Sequence, residues 1–140
     1  MRGGRTEMAT AQGNWMSVAR GLWVWPVAIL VSFPIGGYVA DLIVNGVDSV
    51  GAALIAGVVA GAIIGTAEWF ALRRWVSWLW ILATSVGMAL GLTAGAALAD
   101  YGVGRGDLAL IGAITGIGVG VLQALVLARH RSLARGGGRL

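Results

Sequence analysis

The chain has 140 residues, of which 58% are hydrophobic and 11% charged, against roughly 25% charged in an average soluble domain. A soluble protein this short could not hide so much apolar surface, so lipid has to be its main solvent. There is no cysteine, which excludes disulfides, thiolate metal sites and cysteine nucleophiles. The formal net charge of +4 comes with arginines that flank apolar runs and build no basic face, which excludes nucleic acid as a partner.

Residues 1–20 form an N-terminal segment carrying Arg2, Arg5 and Arg20. The first apolar span covers residues 21–44, close to the ~20 residues needed to cross ~30 Å of hydrocarbon. Pro26 is expected in its first turn, where a missing donor matters little. Pro34 lies inside it and is expected to kink the helix near Leu30. A cleaved signal peptide is disfavoured, because the span is too long and no A-x-A-like site follows it.

The second span covers residues 47–72 and ends at Arg73 and Arg74; the third covers 76–99 and the fourth 107–127. Residues 21–130 thus make a four-helix transmembrane domain, and 131–140 an Arg/Gly-rich tail that follows Arg129, His130 and Arg131. Arginines gather before the first span, between the second and third, and after the fourth. The other two connections carry Asp48, and then Asp100, Arg105 and Asp107. The positive-inside rule therefore puts both termini and the central loop in the cytoplasm. Trp23, Trp25, Trp75, Trp78 and Trp80, with Trp15, cluster on that side and are expected to anchor at the interface.

The halves of the chain superpose without a gap at a shift of 55 positions (80 − 25 = 55), which aligns Trp25 with Trp80, Gly36 with Gly91 and Gly57 with Gly112. The same shift aligns Gly61 with Gly116, Gly65 with Gly120, and Arg74 with Arg129. Each unit holds two helices, so both copies enter from the same side as a parallel repeat. The expected fold is all-α and integral to the membrane: four transmembrane helices as two parallel-repeat hairpins, with both termini cytoplasmic.

Gly57, Gly61 and Gly65 recur every four residues, as do Gly87, Gly91 and Gly95, and Gly112, Gly116 and Gly120; the first span offers Ser32, Gly36 and Ala40. Small-residue stripes let helix backbones approach closely and gain dispersion contacts where lipid offers little hydrophobic drive. They are expected to pack the helices together, or in part to face outward and dock another subunit, a carotenoid or a flat ring.

Glu68 lies about one turn inside the cytoplasmic end of the second span. At about 100° per residue it falls about 20° from Gly57, in line with the stripe. Gln123 holds the corresponding place in the fourth span, and Thr84 lies at similar depth in the third. With the stripes inward, Glu68 and Gln123 would meet across the pseudo-twofold axis. An acidic residue inside a bundle is a functional-site candidate; the plainer reading is a Glu68–Gln123 hydrogen bond or a carboxylate reaching headgroup water. Asp41 and Asp100 read as solvated helix ends. No catalytic set, metal cluster or phosphate loop is present in the sequence, so neither catalysis, a metal nor a cofactor is expected.

The run from Gly61 to Arg74, with Gly65, Glu68, Trp69, Leu72 and Arg73, followed by Trp80, Leu82, Ala83, Thr84, Gly87 and Gly91, resembles a group of small uncharacterised bacterial four-helix membrane proteins. Their pattern is G-x-x-x-G-x-x-Q-W-x-x-L-R-R, then W-x-L-A-T-x-x-G-x-x-x-G. The resemblance extends to the fourth span through Gly116, Gly120, Gln123 and Leu127. It departs at Glu68, where the pattern has glutamine, and at Ala124, which replaces the tryptophan. It implies a duplicated-hairpin fold in the bacterial inner membrane, and a need for hydrogen bonding more than charge at position 68.

The function expected first is that of a non-enzymatic accessory subunit, packing against other membrane subunits or further copies of itself in an energy-converting or pigment-containing complex. Two alternatives stand beside it. One is a small transporter or channel with Glu68 and Gln123 as its ion or proton site; the other is a lipid-organising protein whose arginines meet anionic headgroups.

Overall fold

Apolar runs without internal charges fold as helices in lipid because each backbone N–H must find an acceptor within its own segment. The computed structural model describes the backbone of residues 4–136 and the side chains of residues 23–129. Its helices are α1 (Gly4–Val44), α2 (Val50–Leu72), α3 (Leu79–Leu98) and α4 (Arg105–Gly136), and no strand occurs among the described residues. Each helix contains a stretch long and apolar enough to cross a membrane: Trp23–Val44, Val50–Leu72, Leu79–Leu98 and Arg105–Arg129. The chain is a multi-pass membrane protein of four spans.

α1 and α4 reach beyond the spans expected from hydropathy. The segment 6–19 is rich in Ala, Met, Glu and Gln, which are good helix formers, and the helix runs through it without a break. Pro26 therefore sits in the interior of α1, not in a first turn. Pro34 is likewise interior and leaves the carbonyl of Leu30 without its usual donor.

Local chemistry fixes the other ends. Ser49 caps α2, its hydroxyl accepting from the Ala52 N–H at 3.3 Å. At the start of α4 the Asp107 carboxylate accepts from the Gly104 N–H at 3.1 Å, half of a capping box. α1 ends where Asn45 turns to φ 54°, and its N–H donates to the Asp41 carbonyl at 2.7 Å. α3 ends in a Schellman turn: the Tyr101 N–H reaches the Ala96 carbonyl at 2.8 Å and the Asp100 N–H reaches that of Ala97 at 3.3 Å. Asp100 and Tyr101 hold φ 47° and 57° there, a conformation usually left to glycine.

The helices pack in chain order: α1 on α2, α2 on α3 and α3 on α4. Among the described residues no Cα of α1 comes within 8 Å of one in α4. The row is open at both ends.

Its seams are built from small residues. A methyl group placed on Gly57 would sit 2.5 Å from the Cα of Ala89, and one on Gly61 would sit 2.6 Å from the Cα of Ser85. On the next seam, methyl groups on Gly87, Gly91 and Gly95 would lie 2.6, 2.5 and 2.8 Å from the Cα atoms of Val119, Thr115 and Ile111. Between α1 and α2, Gly36 faces Ala60 and Ile64. The core contains Ala40, Ala56, Ala60, Ile64 and Met88. Large apolar side chains such as Leu30, Leu90, Leu98 and Ile117 point outward, as expected where lipid welcomes bulk and close backbone approach requires its absence.

The stripe on α4 does not pack against another helix of the chain, which is the second of the two arrangements the sequence left open. Nothing lies within 4 Å of a methyl group built on Gly112, Gly116 or Gly120, and all three are exposed. The α3–α4 seam uses Ile111, Thr115 and Val119 instead, about a quarter-turn round the helix. The close approach is supplied by the α3 glycines together with Gly118 of α4, where a methyl group would lie 3.0 Å from the Gly87 carbonyl oxygen.

Several hydroxyls inside the spans are satisfied locally, whereas the buried Thr93 hydroxyl of α3 has no partner among the described residues. Thr66, Ser85 and Thr115 donate to the carbonyls four residues back at 2.6, 2.8 and 2.7 Å, which removes free donors from hydrocarbon.

Candidate functional site: a polar cluster at Glu68

α2 carries Glu68 on the face that meets α3, one turn beyond Gly65, and its side chain is buried. Three donors converge on a single carboxylate oxygen. The Trp80 indole Nε1–H reaches Oε2 at 2.9 Å, the Gln123 Nε2–H at 2.9 Å, and the Thr84 hydroxyl lies 3.3 Å away. Gln123 Nε2 also donates to Thr84 Oγ1 at 3.0 Å, and that hydroxyl lies 3.0 Å from the Trp80 carbonyl. A hydroxyl has one proton, so Thr84 serves either Glu68 or its own helix while it accepts from Gln123.

Each donor is placed by a different piece of local structure. Trp80 and Thr84 are four residues apart on α3 and share a face, the one that meets α2. Trp80 also falls about 20° from Gly87, in line with the α3 stripe. Gln123 comes from α4 at the edge between its α3-facing side and its open side. The cluster thus ties α2, α3 and α4 together at one atom, and it does so although the α4 glycines face away from the seam.

Glu68, Thr84 and Gln123, the three polar candidates in the sequence, are in direct contact. Trp80, read as an interfacial anchor, takes a different place: it is 4% exposed. Its alignment with Gly87 is shared by Trp25 with Ser32, so the stripe alone did not separate it from the other tryptophans. Trp23, Trp25, Trp75 and Trp78 are exposed, as are Arg73 and Arg74. Arg129 is exposed at the end of the fourth span and engages a neighbour. Trp15, Arg2, Arg5, Arg20, His130, Arg131, Arg135 and Arg139 lie outside the residues whose side chains are described.

The chemistry available is that of a hydrogen-bonded hub. Indole and amide N–H groups can only donate, so Trp80 and Gln123 turn hydrogen atoms toward the carboxylate where a cation would need oxygens. Among the described residues no group of three His, Cys, Asp or Glu side chains is placed to hold a metal. No known family, curated protein or solved structure matches the chain.

Proposed function

We propose that this chain is a non-enzymatic membrane subunit that works by packing against other membrane-embedded chains through small-residue helix faces. It is built as two parallel helical hairpins with both termini in the cytoplasm. The observation that carries this reading is the uncovered side of α4. Gly112, Gly116 and Gly120 form a flat strip with nothing within 4 Å of it, whereas every glycine at the corresponding places on α2 lies against α3. A helix gains nothing from such a strip facing lipid, where a side chain would pack against the acyl chains and raise helix propensity.

The Glu68 cluster supports the same reading over transport. Its donors come from the chain itself, and they converge on one of the two carboxylate oxygens and tie three helices to it. Buried polar groups satisfied this way favour one arrangement of helices. A rigid frame with an open edge suits an accessory subunit.

The test is native mass spectrometry with an absorption spectrum on protein extracted from its own membrane in mild detergent. Stoichiometric association through α4, lost when Gly116→Leu fills the strip, is the expected result. A monomer whose behaviour is indifferent to that substitution would overturn the reading.

A further inference from the structure

The open strip on α4 has a built counterpart in the same molecule. Gly57, Gly61 and Gly65 on α2 correspond to Gly112, Gly116 and Gly120 on α4, at the separation of 55 that also relates Glu68 to Gln123. On α2 these glycines receive α3 through Ser85, Met88 and Ala89, and Trp80 of α3 donates to Glu68. The other seams correspond as well: Gly36 meets Ala60 as Gly91 meets Thr115. One seam alone has no second copy. The partner of α4 that would correspond to α3 on α2 is a helix with the sequence of α1.

The matching face of α1 is uncovered. Leu30, Phe33 and Pro34, which correspond to Ser85, Met88 and Ala89, are all exposed, the first two at 75% and 53%. Trp25, which corresponds to Trp80, is also exposed. Within one chain α1 stays on α2 and away from α4, so the repeat does not close on itself. Gln123 spends both of its hydrogen bonds as a donor, through Nε2, and its amide oxygen has no donor among the described residues.

We infer that the open face of α4 receives α1 of a second copy of this chain, with the Trp25 indole of that copy donating to the Gln123 amide oxygen. This rests on the reading of α4 as a packing face and names its occupant. Each copy offers one α4 face and one α1 face, so the contact is head-to-tail and forms a ring where the rotation between copies closes. Two copies, making a ring of four hairpins, are the smallest closed form.

The absence of cysteine makes the contact directly testable. Gly61 lies against the Met88 side chain, so the corresponding pair is Gly116 and Phe33. Phe33→Cys and Gly116→Cys are carried on separate chains, co-expressed in membranes and oxidised. A covalent dimer that needs both variants is expected. No covalent dimer, or a chain carrying both cysteines that cross-links to itself, overturns the inference.

Gly116→Leu supplies the second measurement, since that position has room for the side chain in the single chain. Loss of the two-copy species in native mass spectrometry, with helicity and thermal unfolding retained, is expected; persistence of that species overturns the inference. A failed cross-link together with loss of a different subunit from Gly116→Leu would overturn only the second-copy assignment. A failed cross-link with no change in any association would overturn the packing role of α4 as well.

Discussion

Replacing Gly57 and Gly112 by alanine, one at a time, should move stability in opposite directions. The two positions correspond in sequence but not in surroundings. A methyl group on Gly57 would sit 2.5 Å from the Cα of Ala89 and 2.7 Å from both its nitrogen and the Met88 carbonyl oxygen, where ordinary contact begins near 3.4 Å. All three obstacles are backbone, so no rotamer can relieve the clash. α2 and α3 would have to part by about 0.9 Å, a gap that forfeits roughly a quarter to a half of each contact's dispersion energy along the seam. Overpacking of this kind costs about 1–3 kcal/mol, and alanine returns roughly 0.5–1 kcal/mol through helix propensity. The net expectation for Gly57→Ala is a loss of up to about 2.5 kcal/mol. Gly112→Ala meets nothing within 4 Å and keeps the propensity gain of roughly 0.5–1 kcal/mol. Far-UV circular dichroism during denaturant titration, with the chain dispersed in excess detergent, measures both. Equal shifts of the same sign would refute the claim that one stripe is packed and the other open.

Other outcomes follow from the cluster, the turns and the charges. Glu68→Gln retains an acceptor oxygen for Trp80 and Gln123 and should cost under about 1 kcal/mol, whereas Glu68→Leu strands two buried donors at about 1–3 kcal/mol each; thermal unfolding in detergent separates the pair. Asp100→Gly relieves the left-handed conformation at φ 47° and should raise stability by about 1 kcal/mol, provided the Schellman hydrogen bonds persist in amide exchange. For topology, Arg74→Cys should react with a membrane-impermeant maleimide only in inverted vesicles, and Asp48→Cys only in right-side-out cells. Labelling from the opposite sides would reverse the orientation drawn from the arginines.

Hydropathy was enough to locate four spans, since nothing but a helix satisfies a backbone across hydrocarbon. It could not bound α1, because the segment before Gly21 is polar yet helical, and helix propensity there carries no apolar signature. The face shared by Glu68 and its stripe was legible from the 100° step, and so was the depth of Thr84 and Gln123. Which stripes are covered was not legible. In water, polarity marks the outside of a helix; in lipid, large apolar residues are at home on both sides, and Gly61 and Gly116 look alike until a neighbour is in place. Trp80 shows the same limit at a single residue. An indole near a span's end suits an interfacial belt and a buried hydrogen bond equally well; only Glu68 opposite it decides.

The hub at Glu68 also sets an order of events during synthesis. The carboxylate emerges with α2, Trp80 and Thr84 follow with α3, and Gln123 arrives 55 residues after Glu68. At the usual 5–20 residues per second that is about 3–11 s during which Glu68 lacks a donor it holds in the finished protein. Over that interval the first hairpin has every reason to keep the Glu68 end of α2 shallow, with the carboxylate in headgroup water. The last helix does more than complete the row: its amide is what lets the acid leave water for good, so a chain cut short after α3 would have an incompletely paired acid at the membrane surface.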